Sequence, residues 1–397
     1  MLKELRIEKA ALAGAFIVLL AFSACNSNHD SEFTTLNSEL EYQSPIDFDI
    51  LLAGNFGEPR PWHFHGGLDI KTDNQEGKNV MAVADGYVSR LTVGMFGFGN
   101  AIYVSHPDGL TSVYCHLQRF ADKYERLISR SGGQDTLSVW FPADSLPVRG
   151  GELIAISGNT GHSTGPHLHL ELHDTRTWAM RDPMEKLARL IADTVAPQAH
   201  SLMAIPQGSE GSFCGSSQKQ TFPIGQGGEK RQNTDFEMQR EFTAWGRVGF
   251  ALWADDYSHN TYHRYGIRSM RLLVDGREVF RSDVDSIPIS CQQEVNLWGD
   301  YDHWLKTRIW YMKAFREKDM RLPILHAGFD RGIIDFREER PYRLTFILRD
   351  YQGNSSTYRL TVRGERNSCV AASAGPGVLS RYQLFRQCLW PLYSFRE

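Results

Sequence analysis

From about residue 44 to 184, apolar and polar residues alternate with a period of two, in short runs broken by glycine turns. NVMAVADGYVSRLTV alternates around Asp85-Gly86, and NAIYVSH and TSVYCHL alternate on either side of Pro107-Asp108-Gly109. ELIAISG and HLHLELH keep the same period. Side chains two apart on a strand share a face, so these runs predict a compact antiparallel β domain over residues 46–192. Two segments change period: Phe120 to Ser131, and DPMEKLARLIADT from Asp182. The second predicts a closing helix capped by Asp182, with Met184, Leu187, Leu190 and Ile191 on its apolar side. TVAPQAHS breaks the pattern near 194–201, and GRVGFALWADD, SMRLLVDGREVF and YRLTFILRDYQGNSSTYRLTV then read as strands again. With Asp275-Gly276 and Asp350 to Asn354 as turns, residues 195–365 predict a β-sandwich, immunoglobulin-like in general plan. A longer excursion falls between about 285 and 335. Residues 366–397 have no clear period and receive no fold, so the chain as a whole reads as mainly β.

The start is different in kind. The basic-leaning MLKELRIEK leads into the apolar run ALAGAFIVLLAFSA, which ends on Ser23, Ala24 and Cys25. This predicts a secretory signal over residues 1–24. It also resembles a bacterial lipobox, which implies lipid on Cys25; an ordinary signal cut near Ala24 is the alternative. Residues 25–45 are polar and aperiodic, as a tether is. These features predict a lipid-anchored, periplasm-facing protein of the cell envelope, on the outer membrane. Of the six cysteines, Cys115 lies in a strand-like run and is expected to be unpaired. Cys214 with Cys291, and Cys369 with Cys388, are candidate disulfides of an exported protein. The net charge of −4 gives no electrostatic case for nucleic acid.

Chemistry concentrates in two stretches. HFHGGLDI, residues 63–70, holds His63, His65 and Asp69 around two glycines. GNTGHSTGPHLHLEL, residues 158–172, holds His167 and His169 on either side of one leucine. A strand through HLH offers both imidazoles to one centre and turns Leu168 and Leu170 inward. The Gly66-Gly67 pair is expected to let the backbone bend close to an ion, and the glycine-rich GNTGHSTGP loop to let the chain pass close to a substrate backbone. Two histidines and a carboxylate suit a hydrolytic zinc that keeps one position for water. His65, Asp69 and His169 would be that trio. Tyr114-Cys115-His116-Leu117 supplies a further histidine on a strand. His63 shares a face with His65 and is a candidate neighbour of the site. His162 and His173 are expected to be solvated and His106 to be a turn residue.

Taken in order, HxxxD, YxHL and GNTGxSTGPHLHxE resemble the lysostaphin-type (LytM-like) zinc endopeptidases that cut cell-wall peptides. FGEPRPWHFHGGLD, AVADGYV, GFGNAIYVSHPDG and VRGGELIAISG fit as well, so the resemblance covers about residues 46–175. It implies one zinc ion per chain held by His65, Asp69 and His169, with His116 and His167 acting beside the metal. It implies hydrolysis of peptide bonds in peptidoglycan cross-links, with those two histidines moving protons and holding the oxyanion. The stretch from about Ala121 to Pro147 is longer than the smallest members need, and Trp140 and Phe141 in it are expected to pack. Together with an appended β-sandwich it also resembles exported homologues common in the Bacteroidetes. No specific task follows for the second domain, which could hold an envelope protein partner. Two other readings share the fold: a non-catalytic protein that binds wall or activates a hydrolase, and a zinc peptidase for exported proteins.

Overall fold

The computed structural model describes residues 40–129, 136–143, 145–224, 234–259 and 261–366. The segment read as a signal, Cys25, most of the expected tether, and residues 367–397 with Cys369 and Cys388 lie outside the described residues. The described residues from Leu40 onward belong to one compact unit.

The fold is mainly β. In the first half a long sheet runs, in spatial order, Leu52–Gly54, Gly67–Lys71, His167–Asp174, Leu110–Cys115, Ala101–Ser105, Gly86–Val93 and Leu137–Trp140. Every neighbouring pair is antiparallel. The alternation read from sequence explains its two faces. Leu68, Ile70, Leu168, Leu170 and Leu172 are buried in one core, while Asp69, His167, His169, Glu171 and His173 fall at the intervening positions. A three-stranded sheet of Asn79–Met81, Leu153–Ser157 and Leu117–Phe120 adds Val80, Ile154 and Phe120 to that core.

The first expected helix forms at Asp122–Ser129. The second is shorter than its apolar spacing predicts. It spans Met184–Leu187, continues as a 3-10 turn over Ala188–Leu190, and is extended by Ile191. Pro183 takes the cap position, and Asp182 Oδ1 accepts from the Met184 N–H at 2.9 Å. The spacing signal reflects burial, since Met184, Leu187 and Ile191 all enter the core. Trp140 is exposed and carries Arg90 over its ring at 4.6 Å, whereas Phe141 packs against the core.

The second half is β-rich around its own core, where Leu202, Phe250 and Leu252 meet Leu272, Phe346 and Leu360. One strand, Phe242–Asp255, links the strands on either side of it into a single sheet. That strand pairs antiparallel with Gln198–Phe213 and, through residues 242–244, parallel with Ser355–Gly364. Gly246, at φ +67°, makes the bend; a Cβ there would meet the Glu210 carbonyl oxygen at 2.8 Å. Asp275 and Gly276 both have positive φ, as a two-residue hairpin between Ser269–Val274 and Arg277–Asp283 requires. Cys214 and Cys291 are free thiols, which corrects the disulfide expected between them. Cys214 ends a strand in a left-handed turn, and Cys291 is buried in a 3-10 turn.

The halves interlock. Phe64 and Met180 belong to the core of the second half, Tyr265 to that of the first, and Met180–Arg181 pairs with Ser286–Ile287. Asn55 makes a two-way clasp: its Nδ2 donates to the Gly266 carbonyl at 2.9 Å, and its Oδ1 accepts from the Gly266 N–H at 2.8 Å. Asn55→Ala leaves both Gly266 groups unpaired. It should cost about 1–3 kcal/mol in denaturant unfolding; a loss below about 0.5 kcal/mol would mean that water replaces the clasp.

Candidate metal centre

Strand register brings the distant pieces together. Asp69 on Gly67–Lys71 stands opposite His169 on His167–Asp174, and His169 stands opposite Cys115 on the next strand. His65 lies just before its strand and reaches back to the same point. His65 Nε2 and Asp69 Oδ1 are 2.9 Å apart, His65 Nε2 and His169 Nδ1 3.1 Å, and His169 Nδ1 and Asp69 Oδ1 2.7 Å. His167 Nε2 is 3.4 Å from the same Asp69 oxygen. The His116 ring centre lies 4.9 Å from that of His167 and 5.7 Å from that of His169.

The outer hydrogen bonds decide what these atoms offer. His65 Nδ1 faces the Asn55 carbonyl at 2.6 Å, His116 Nδ1 the Thr160 carbonyl at 2.8 Å, and His167 Nδ1 the Gly165 carbonyl at 2.8 Å. His169 Nε2 faces Glu171 Oε1 at 2.9 Å. Carbonyls and carboxylates only accept, so each of these nitrogens carries the proton. For His65 and His116 the other nitrogen is then a lone pair turned inward, while the inward nitrogens of His167 and His169 face Asp69 Oδ1 at 3.4 and 2.7 Å. Three lone-pair atoms within 3.1 Å of one another repel unless something positive lies between them. Donors of a tetrahedral zinc with bonds near 2.0–2.1 Å lie roughly 3.3 Å apart, so the set His65, Asp69 and His169 fits a metal of that kind.

Electrostatics agree. Burial drives His65 down to about 4, and burial with the neighbouring charges of His169 and His167 does the same to His116. Both rings are neutral at pH 7. Burial also pushes His169 down, but its bonds to Asp69 and Glu171 outweigh that and lift it to about 9. Burial raises Asp69, yet the charge of His65 and hydrogen bonds from His167 and His169 hold it well below the usual carboxylate range. The centre attracts positive charge: a proton, or a metal ion in the proton's stead.

Sequence spacing missed several parts of this support. Glu171 shares the face of His167 and His169 by the same alternation and is buried, with Oε1 on His169 and Oε2 on His173 Nε2 at 2.5 Å. His173 is therefore buried rather than solvated, and stacks on Trp178 at 4.3 Å. His106 is also buried, bonded to the Asp85 carbonyl and Ser112 Oγ. Arg60 Nη2 holds the second Asp69 oxygen at 2.8 Å. His116 is not on a strand: it sits between two of them at φ +59°, with its N–H on the Phe98 carbonyl. Gly66 is needed for a neighbour rather than for the ion, because a Cβ there would meet Glu171 Oε1 at 2.2 Å. His63 is exposed, holds the Pro61 carbonyl and touches none of the converging atoms. Phe98 stacks over His169 at 6.1 Å and forms an apolar lip that no periodicity announced.

Glu171→Gln keeps the shape but replaces a charged acceptor behind His169 with a neutral amide. Metal affinity should fall about 10–100-fold, read by competition with a chromogenic chelator; unchanged affinity would show that Glu171 serves packing alone.

The same region is where comparison with known proteins finds likeness. Residues 63–133 match the profile of Peptidase family M23. A DD-carboxypeptidase/endopeptidase, Mpg, of Neisseria meningitidis is 36% identical over 110 residues, covering 28% of this chain and 20% of that protein. The peptidoglycan DD-endopeptidase ShyC of Vibrio cholerae is 32% identical over 136 residues, 32% of this chain and 26% of its own length. The chain thus spans about a fifth to a quarter of these relatives. Among solved structures, the catalytic domain of lysostaphin from Staphylococcus simulans is 24% identical, covering 34% of this chain and 89% of that one, with a TM-score of 0.25. Residues 63–133 of the chain therefore resemble the domain of Peptidase family M23.

Proposed function

We propose that this domain is a zinc endopeptidase that hydrolyses peptide bonds in peptidoglycan cross-links. The observation that carries the reading is the completeness of the centre: five side chains are in place, and each of the four imidazoles is anchored through its outer nitrogen with the other turned inward. His65, Asp69 and His169 would hold one zinc ion, which when bound polarises the scissile carbonyl and lowers the pKa of water towards about 7. His116 and His167 lie beside that trio, each with its Nε2 turned inward. One takes the proton of the attacking water, and the protonated ring returns it to the leaving amine. The bonds to Thr160 and Gly165 keep both rings in the tautomer that can accept. Phe98 gives the approaching peptide an apolar wall. The name of the Vibrio relative, a peptidoglycan DD-endopeptidase, supports wall peptide over exported protein as substrate. We also propose that lipid on Cys25 anchors the chain in the envelope, with the peptidase facing the periplasm.

Purified sacculi should release peptides with new amino termini, identified by mass, when treated with zinc-loaded protein and not with chelator-stripped protein. No release by either overturns the hydrolase reading and leaves the non-catalytic one.

A further inference from the structure

Outside the peptidase centre, three carboxylates converge where the two halves join. Asp193 follows the 3-10 turn Ala188–Leu190, Asp256 follows the Phe242–Asp255 strand, and Asp350 opens the turn between Pro341–Arg349 and Ser355–Gly364. One oxygen of each lies within 4.8 Å of the other two. Asp256 is 6% and Asp350 4% exposed. Asp193 and Asp256 line a cavity of about 390 Å³ together with Asp49, Tyr265 and Gln352, and Asp350 immediately precedes the lining residues Tyr351 and Gln352.

Carboxyl groups placed this close and out of water either keep their protons or take a cation between them. Among the described residues, no ion pair joins any of the three to a lysine or arginine. Arg268, the cation of the same cavity, is turned to Asp182 and Asp285 at 3.9 Å each. His259 influences Asp193 but hydrogen-bonds Thr194. Asp350 is partly satisfied by the Asn354 N–H and Nδ2, and Asp193 by the Val195 N–H. Asp256 Oδ1 is buried with no partner at all. The side chain that carries this orphan oxygen faces the other two carboxylates and is buried with it. Burial also raises all three carboxyls above their ordinary range.

We propose that Asp193, Asp256 and Asp350 bind a hard divalent cation, calcium, which fastens the peptidase half to the second half. Three carboxylates and no nitrogen or sulfur suit calcium over zinc, and the cavity leaves room for the water that calcium retains. The site lies close to the peptidase support. Asp256 exchanges backbone hydrogen bonds with Tyr265, and the next residue, Gly266, holds the Asn55 clasp. The Tyr265 hydroxyl also donates to the Leu52 carbonyl.

The test uses the full chain purified in detergent, stripped of metal and reloaded with one equivalent of zinc. Equilibrium dialysis with radioactive calcium should find one ion per chain. Calcium should raise the thermal midpoint in wild type and in His169→Ala, and should not do so in Asp256→Asn or Asp350→Asn. Without calcium, Asp256→Asn should melt at or above wild type, because it removes an unpaired buried charge; with calcium the order should reverse. No calcium bound at 1 mM by a folded wild type overturns the proposal, as does calcium bound equally by Asp256→Asn, or its loss in folded His169→Ala. None of these readouts depends on peptidase activity.

Discussion

His169→Ala should hold less than about a tenth of a metal ion per chain and release wall peptides at least about 10³-fold more slowly than wild type, roughly 4 kcal/mol of barrier. The expectation is large because His169 serves three partners at once. Its Nδ1 meets His65 Nε2 and Asp69 Oδ1, and its Nε2 engages Glu171. Truncation removes one of three donors and frees the other two from their common register. It also strands Glu171, although His173 still holds the second carboxylate oxygen. Some loss of stability follows from breaking this buried pairing, so circular dichroism must show that the variant is folded at the assay temperature. Asp69→Asn gives an independent check, since it keeps the volume and removes the charge that a dication needs. Bound metal, measured by elemental analysis, should fall in both. If folded His169→Ala releases the same products within about tenfold of the wild-type rate, neither the trio nor the hydrolase reading survives.

How much of this was legible before folding depends on how local each cause is. The HLH alternation fixes which side chains share a face, so His167 and His169 beside buried Leu168 and Leu170 could be read from sequence alone. The mainly β character followed from the same period. The helix after Asp182 could not be sized, because apolar residues at helical spacing report burial whether or not the backbone continues to turn. Glu171 stood in plain view on the same face, but its role depends on His173 folding inward against Trp178, a contact outside the pattern of two. The bend at Gly246 and the Asn55–Gly266 clasp join residues far apart in sequence, and no period encodes them. Asp256 joins Asp193 and Asp350 from other elements, a meeting that no period along the chain encodes.

His116→Ala should keep its metal and lose about 10²–10⁴-fold in kcat/KM, the range for removing a positioned proton carrier. The combination matters because His116, His167 and His169 also bring ligand atoms within 4.8 Å of one another, as His65, Asp69 and His169 do. The all-histidine set has no anion to offset a dication, whereas the other set holds Asp69 in mutual contact with both rings. Metal retained with activity lost assigns His116 to proton transfer; metal lost would make it a ligand and move the centre by one residue set. The pH profile separates the same roles. Burial and the charges of His169 and His167 place His116 at about 4, so its imidazole is available as a base throughout neutral pH and is protonated only below that value. The wild-type acid limb assigned to His116 should therefore lie well under the ordinary histidine value of about 6.5, and that limb should vanish from the residual activity of the variant. Because the folded protein resists this proton while the unfolded chain accepts it near 6.5, wild type should also lose stability as pH falls from about 6.5 through 4, and His116→Ala should lose less.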